Sequence, residues 1–380
     1  MRPRTRGQSE QTDGRVRYAC VGLGYIAQAA VLPAFSHAAN SELTALVSSN
    51  PVKLKRLGRK YRVRHLFTYD RFEECLSSGQ IDAVYIALPN SKHREYAVRA
   101  ANAGVHVLCE KPMAVTGAEC REMIEAARAS DVRLMVAYRL HFEAANLKAV
   151  EIARSGRLGD LRIFNSLFTM SVKPDNVRLR AELGGGTLYD IGIYCINAAR
   201  YLFRDEPYEV LATSATGSDE RFESVEEMMC ATLRFPGERL ASITTSFGAA
   251  DASSYELVGT KGRLRVDPAY EWVGSLKHEL HVRGKTANRT FPKRDPFSPQ
   301  LIYFSDCVRR GVTPEPSGEE GLADVRIIEA LYASARKRQP VRLGAFRREQ
   351  RPGPRQELRR PPAKKPKLVQ VTSPSENPGD

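Results

Sequence analysis

Three side chains in this sequence have the types and spacings of an acid/base apparatus. Lys111 follows the apolar run 105–109, which reads as a buried strand ending in Glu110-Lys111-Pro112. In an open parallel sheet, ligands lie in the crevice beyond the carboxyl ends of the strands, so the lysine is delivered to that crevice. Pro112 disfavours the helical region for Lys111 and keeps it extended. Asp190 and Tyr194 stand four apart after Gly184-Gly185-Gly186-Thr187, on one face of an expected helix over 188–203. Plainer readings exist: a solvated lysine at a strand exit, the N3 acid of a Thr187 cap, and a core tyrosine with a bonded hydroxyl. Facing one cleft, an ammonium, a carboxylate and a phenol form an acid/base apparatus. A phenol ordinarily ionises near pH 10, and a neighbouring cation favours the phenolate.

The elements that must position these groups alternate in type. Residues 17–21 form a strand that runs into Gly22-Leu23-Gly24-Tyr25-Ile26-Ala27, a G-x-G-x-x-A turn, and a helix over 28–36 follows, shortened or kinked by Pro33. Such a turn lets backbone approach a pyrophosphate that rests on the helix N-terminus. The second strand, 43–47, ends in Ser48-Ser49-Asn50 without an acid, and Lys53, Lys55 and Arg56 follow. An NAD site expects Asp or Glu there for the ribose hydroxyls. Hydroxyls with ammonium groups suit a 2′-phosphate instead, so NADP is expected, with Ser48 and Lys53 as contacts; an exposed basic helix start is the other reading. A strand over 82–88 leads through Pro89-Asn90-Ser91 to a helix over 92–104, with Asn90 or Ser91 as N-cap and Gly104 as stop. His93, in its first turn, is either a cap contact or a binding residue. Thr116-x-x-Glu119 is a capping box opening a helix to about residue 130, and a strand over 133–138 ends in Arg139-Leu140-His141. This alternation means a doubly wound sheet over 17–140.

Residues 141–343 change rhythm. Strands are expected at 162–172, 209–215, 227–235, 240–247, 254–258, 263–267 and 279–283, with Gly259-Thr260-Lys261-Gly262 as a hairpin turn. They make an antiparallel sheet of five or more strands, with helices over 144–155, 188–203, 299–310 and 319–337. His278 and His281 fall in a strand, where a spacing of three puts the rings on opposite faces, so no metal site is expected.

The 380-residue chain carries a net charge of +14. Residues 1–17, five Arg against Glu10 and Asp13, contribute +3, and residues 345–380, nine Arg and Lys against four acids, contribute +5; the body keeps +6. Seven prolines fall in 345–380, so 344–380 is expected to be a disordered basic tail, and 1–16 a disordered arm. Lys364-Lys365-Pro366-Lys367 has the look of a nuclear-import signal, but the reading taken is a solvated tail, not a nucleic-acid protein. Seven scattered cysteines without Cys-x-x-Cys argue for reduced thiols. No apolar segment follows Arg2, Arg4 and Arg6, and none elsewhere is long enough to span a bilayer; a cytoplasmic, membrane-free protein is expected.

The Gly-rich turn, Glu110-Lys111-Pro112 and Gly185-Gly186 with Asp190 together resemble the glucose–fructose oxidoreductase, inositol dehydrogenase and rhizopine-catabolism (Gfo/Idh/MocA) superfamily. Ala45–Ser48, Val84–Ser91, Tyr138–His141, Arg178-Leu179-Arg180, Asp190–Tyr194 and Pro316–Gly321 with Asp324-Val325-Arg326 are similar to its glucose–fructose branch, which uses Tyr at position 194 where most members use His. The resemblance covers roughly 17–343. It implies a Rossmann domain, an open, mainly antiparallel sheet that mediates homo-oligomerisation as dimer or tetramer, and an NADP-dependent oxidoreductase transferring hydride to or from a sugar. Tyr194 is then the acid/base, aided by Lys111 and Asp190. The cofactor set is Gly22, Leu23, Gly24, Tyr25, Ile26, Ser48, Lys53, Leu88, Asn90, His93, Glu110, Lys111, Arg139 and Arg178. The sequence departs from the branch in its short N-terminal arm, with Pro3 its single proline, in Val177 where the branch has Trp, and in the basic tail. An aldose 1-dehydrogenase with exchangeable cofactor and a non-catalytic dinucleotide sensor are the alternatives.

Overall fold

A computed structural model describes residues 14–348 and 350–376; most of the expected N-terminal arm, residues 1–13, lies outside the described residues. The first sheet comprises β1 (Val16–Val21), β2 (Ser41–Val47), β3 (His65–Phe67), β4 (Ala83–Ile86), β5 (His106–Cys109) and β6 (Leu134–Val136). Every pair is parallel and the order is β3-β2-β1-β4-β5-β6. The order reverses between β1 and β4, and the crevice outside the carboxyl ends opens there. A parallel sheet is buried on both faces, which is why these strands are apolar without alternation. One face sets Val21, Val47, Ile86 and Cys109 against the helices His93–Asn102 and Gly117–Ala129. The other sets Tyr18, Cys20, Tyr85 and Leu108 among residues such as Leu54, Leu57, Leu301 and Phe304.

Leu301 and Phe304 belong to the helix Ser298–Arg310, which the sequence reading placed in the second domain. The chain instead returns to cover the first sheet. The Tyr18 hydroxyl bonds Ser305 Oγ at 2.7 Å, and Asn40 Nδ2 donates to the Ile302 carbonyl at 2.9 Å. Without this helix, part of that face would be left uncovered.

The second sheet holds β7 (Leu161–Thr169), β8 (Glu209–Ala215), β9 (Met228–Phe235), β10 (Arg239–Ser246), β11 (Ala252–Gly259), β12 (Gly262–Val266), β13 (Leu276–Val282), β14 (Lys285–Phe291) and β15 (Val341–Arg342). Its order is β14-β13-β12-β11-β7-β10-β9-β8-β15. It is antiparallel except for the central β7–β10 pair, which runs parallel. One face packs on the helices Ile193–Phe203 and Gly318–Lys337; the other is open, with Ile163, Leu211 and Leu240 exposed.

Residues 344–376 differ from the expected disordered tail. Described residues of this stretch are laid along the body. The Arg348 guanidinium pairs with Glu315 at 2.6 Å and Glu320 at 3.0 Å, Arg351 pairs with Glu206 at 2.6 Å, and Val369 is buried. The physical reason is pairing at a distance: arginines that look solvated in sequence insert into acids placed by remote helices.

Candidate active site

The turn after β1 works because Gly22 adopts φ +94°, and a Cβ there would stand 2.4 Å from the Ala87 carbonyl oxygen. Above Gly24 the space is open, with nothing within 4 Å of where its Cβ would be. Tyr25 and Ile26 complete this first turn, and the expected helix over 28–36 is broken into a π-helical Ala27–Val31, a short α turn Leu32–Ala34 with Pro33 and a 3₁₀ turn Phe35–His37. Leu23 is buried, and its carbonyl accepts from Gln28 Nε2 at 2.9 Å. At the end of β2, Ser48 is buried and its Oγ accepts from Asn50 N at 3.3 Å. Asn50 caps the helix Pro51–Tyr61 by accepting from Lys53 N at 3.0 Å. Lys53 is half-buried, and partial burial lowers its pKa. A glycine cradle, a buried hydroxyl, a capped helix start and an ammonium, with no acid at the strand end, fit a dinucleotide bearing a 2′-phosphate.

Lys111 sits just past β5 and its ammonium crosses to the second domain. It donates to the Asp190 carbonyl at 2.6 Å and to Asp190 Oδ1 at 3.0 Å. Arg178 Nε takes the other carboxylate oxygen at 2.5 Å. Burial alone would push the Asp190 carboxyl up, but Arg178 and Lys111 outweigh it and hold it well below the ordinary range. For Lys111, burial pulls the pKa down while Asp190 and then Tyr194 push it up, and the net shift is upward. Tyr194 lies between two cations: Lys111 Nζ is 4.8 Å from its ring centroid and the Arg139 guanidinium 5.0 Å. Arg139 donates to the Tyr270 carbonyl and is buried, and its Nη1 has no hydrogen-bond partner. The lysine thus meets the tyrosine at its ring, and among the described residues no hydrogen bond is made to its hydroxyl.

Local folding explains the placement. Asp190 lies in a π-helical turn, Leu188–Gly192, and Tyr194 in the α-helix Ile193–Phe203 that continues it. Such widened turns recur at functional sites. The 184–186 loop seats Arg178: Gly186 N donates to the Arg178 carbonyl at 3.0 Å, and a Cβ on Gly185 would stand 2.4 Å from that oxygen.

Several expected roles change. Thr187 is already helical and makes no cap; its hydroxyl donates to Glu226 at 2.7 Å, so Asp190 is not the acid of a cap. Neither Asn90 nor Ser91 caps the helix His93–Asn102; the Asn90 amide instead donates to the Gly184 carbonyl at 2.8 Å, tying the two domains. His93 is fully buried rather than facing a cofactor. Its Nδ1 lies 2.8 Å from the Pro112 carbonyl and Nε2 2.9 Å from that of Leu88, so it braces those two loops. Glu110 turns under the site, accepting from the Tyr85 hydroxyl at 2.7 Å, and burial raises its pKa. Sequence reasoning missed Asn50 and Gln28 at the cofactor turn; the Asn50-Pro51 pair was a legible N-cap signal. His278 is buried on β13, and His281 bonds Thr286 instead of joining it.

Comparisons with known proteins agree with this geometry. Residues 16–138 match the family described as "Oxidoreductase family, NAD-binding Rossmann fold", and 146–265 match the "GFO/IDH/MocA C-terminal domain". A D-xylose 1-dehydrogenase [NADP(+)] of Haloarcula marismortui is 34% identical over 87% of this chain and 94% of its own length. The aldose-aldose oxidoreductase of Caulobacter crescentus, solved with glycerol, superposes with a TM-score of 0.83 at 39% identity, covering 87% of this chain and all of that one. A 3-ketoreductase of Actinomadura kijaniata, solved with NADP and TDP-benzene, gives 0.77 at 26% identity over 84% of this chain and 98% of that one. A paired match to both domain families, over a site built as described, makes this chain a member of the GFO/IDH/MocA oxidoreductase family.

Proposed function

We propose that this protein is an NADP-dependent oxidoreductase that transfers hydride between the nicotinamide and a CH–OH carbon of a sugar. The carrying observation is Tyr194, part-buried at the cleft between two cations, with Lys111 pinned by Asp190. A bound NADP supplies the hydride acceptor. Tyr194 takes the proton from the sugar hydroxyl as its carbon is oxidised, and returns it when a carbonyl is reduced. Lys111 and Arg139 lie against the Tyr194 ring. Asp190 orients Lys111, and Arg178 keeps that carboxylate ionised. Positioned proton transfer of this kind contributes about 10²–10⁴-fold. Ser48 and Lys53 would hold the 2′-phosphate at the start of the helix that Asn50 caps, where the helix dipole favours an anion.

Two forms of the activity are distinguished by cofactor exchange. The xylose dehydrogenase relative favours an aldose 1-dehydrogenase that releases NADPH at each turnover; the aldose-aldose oxidoreductase favours exchange between two sugars. A silent dinucleotide sensor would not need the full set of Lys111, Asp190 and Tyr194. The protein as isolated, given glucose with fructose or xylose and no added cofactor, is the test. Paired oxidised and reduced sugars over many turnovers support exchange. Turnover only with added NADP supports the dehydrogenase. No reaction with any aldose or ketose, with or without NADP, overturns the reading.

The open face of the second sheet supports a homo-oligomer. Leu240 and Ile163 are neighbours on paired strands there, both more than 40% exposed, and Leu211 stands on the same face. A second copy burying this face gives a dimer or tetramer, tested by light scattering. Among the described residues no helix is long and apolar enough to cross a membrane. All seven cysteines are free thiols, which fits a reducing cytoplasm.

A further inference from the structure

The stretch that follows Arg351 ends on both banks of the cofactor cleft. On the first-domain bank, Lys60 Nζ donates to the Lys367 carbonyl at 3.1 Å. Gln28, four residues past Gly24, makes a reciprocal pair with Val369: its Nε2 donates to the carbonyl at 3.1 Å and its Oε1 accepts the backbone N–H at 2.7 Å. Asn50, whose other amide atom caps the Lys53 helix, donates to Gln370 Oε1 at 2.9 Å. Val369 is buried against the first domain. On the second-domain bank, Lys173 N donates to the Pro374 carbonyl at 2.9 Å, and Glu376 N to the Ser171 carbonyl at 2.9 Å. Val172 and Ser375 form an antiparallel bridge, and Ser375 is buried. Residues 171–173 lead directly to Asn176, which accepts from Arg178 N, and to Arg178, which holds Asp190.

Only three residues lie between Gln370 and Pro374, so the four Cα steps reach roughly 14 Å when extended. The chain therefore passes from the turn and Ser48 region to the loop above Asp190, the two places that a dinucleotide between Gly24 and Tyr194 must touch. We propose that residues 369–376 form a strap across the mouth of the cofactor cleft, so that NADP cannot leave until the strap is released. This rests on the NADP reading above. The strap is held by backbone bonds on the second-domain bank, and by one buried valine, one reciprocal glutamine pair and the Asn50–Gln370 bond on the first. It is thus strong enough to slow exchange and short enough to open without unfolding either domain.

The test compares three proteins: the full chain, a chain stopped after Leu368, and full-length Val369→Asp, which puts a charge into the apolar socket. Each is titrated with NADPH by its fluorescence, then loaded and chased with excess NADP in a stopped flow. Release is expected to be at least tenfold faster from the shortened chain, and faster from Val369→Asp, with melting temperatures close to that of the full chain. Equal release from all three overturns the strap while leaving the cofactor reading in place. Failure of all three to bind NADPH overturns the cofactor reading, and the strap with it.

Discussion

Two groups of charges share the helix Ile193–Phe203 and are built on opposite terms. At its start, Lys111 lies against the Tyr194 ring and bonds Asp190, which bonds Arg178, with the three charged side chains 12%, 16% and 26% exposed. Six residues on, Arg200 is fully buried and every donor is used: Glu206 at 2.7 Å, Glu320 at 2.8 Å and Asp324 at 2.6 Å. Asn197 bonds both Glu320 and Asp324, His141 Nε2 lies 2.8 Å from Asn197 Oδ1, and the Tyr138 hydroxyl donates to Asp324 at 2.6 Å. The lower group ties the first domain, the helix Ile193–Phe203, the helix Gly318–Lys337 and Arg348 together, and it leaves His141 Nδ1 and Glu315 Oε1 without hydrogen-bond partners among the described residues, 3.8 Å from each other. The upper group, among the described residues, leaves an Arg139 N–H and the Tyr194 hydroxyl without a hydrogen-bond partner. The lower remainder is sealed in the core, whereas the Tyr194 hydroxyl belongs to a part-exposed side chain.

Substitutions can break the contrast in order of expected effect. Tyr194→Phe should lower kcat about 10³-fold or more while NADPH titration and the melting temperature stay near wild type; retained turnover would remove the tyrosine from the reaction. Arg200→Met should do the reverse, since it strands buried acids: a loss of about 3–5 kcal/mol in urea unfolding, with much less change in kcat of the folded protein. A variant as stable as the parent would mean the lower group is not structural. His141 adds a pH signature. Burial holds its pKa down at about 4, with Glu320, Asn197, Arg200 and Arg348 as smaller influences. The folded protein keeps it neutral while the unfolded chain protonates it below pH 6.5. This contribution is therefore present above pH 6.5 and lost as pH falls through about 4. His141→Gln should suffer less acid destabilisation over that window, by on the order of 2–3 kcal/mol, in urea unfolding at pH 7 and pH 4.5. Ser48→Asp should shift preference from NADP to NAD by about tenfold in kcat/KM, because a carboxylate repels the 2′-phosphate; an unchanged ratio would place the phosphate elsewhere.

The upper group was legible in the sequence because its members are punctuated locally: a strand cut by proline for Lys111, and glycines before Asp190. The lower group was not, although Arg200, Glu320 and Asp324 were all in view, because their meeting depends on how three remote elements pack. The same holds for Arg348, Arg351 and Val369, whose neighbourhood reads as solvated when judged by composition alone. β14 went unread for a different reason. Its residues Lys285 to Thr290 are exposed and carry no apolar alternation, so backbone pairing to β13 makes the strand rather than side-chain pattern. His93 illustrates ambiguity of type: a lone histidine at a helix start serves a cofactor or two carbonyls, and only the fold decides.

The widened turn at Leu188–Gly192 bears on how this family can drift in length. It is one surplus residue held inside a helix, in the turn that contains Asp190 and just ahead of the segment that carries Tyr194. Exchanging side chains in that turn leaves the count intact. Removing one residue would restore regular α winding, in which each carbonyl accepts from the N–H four residues on. The Asp190 carbonyl, which now accepts from Lys111 at 2.6 Å, would then be drawn into the helix ladder in competition with the lysine. Lineages descended from this chain should accumulate replacements in this turn while retaining its length, and gaps in related sequences should fall on either side of it.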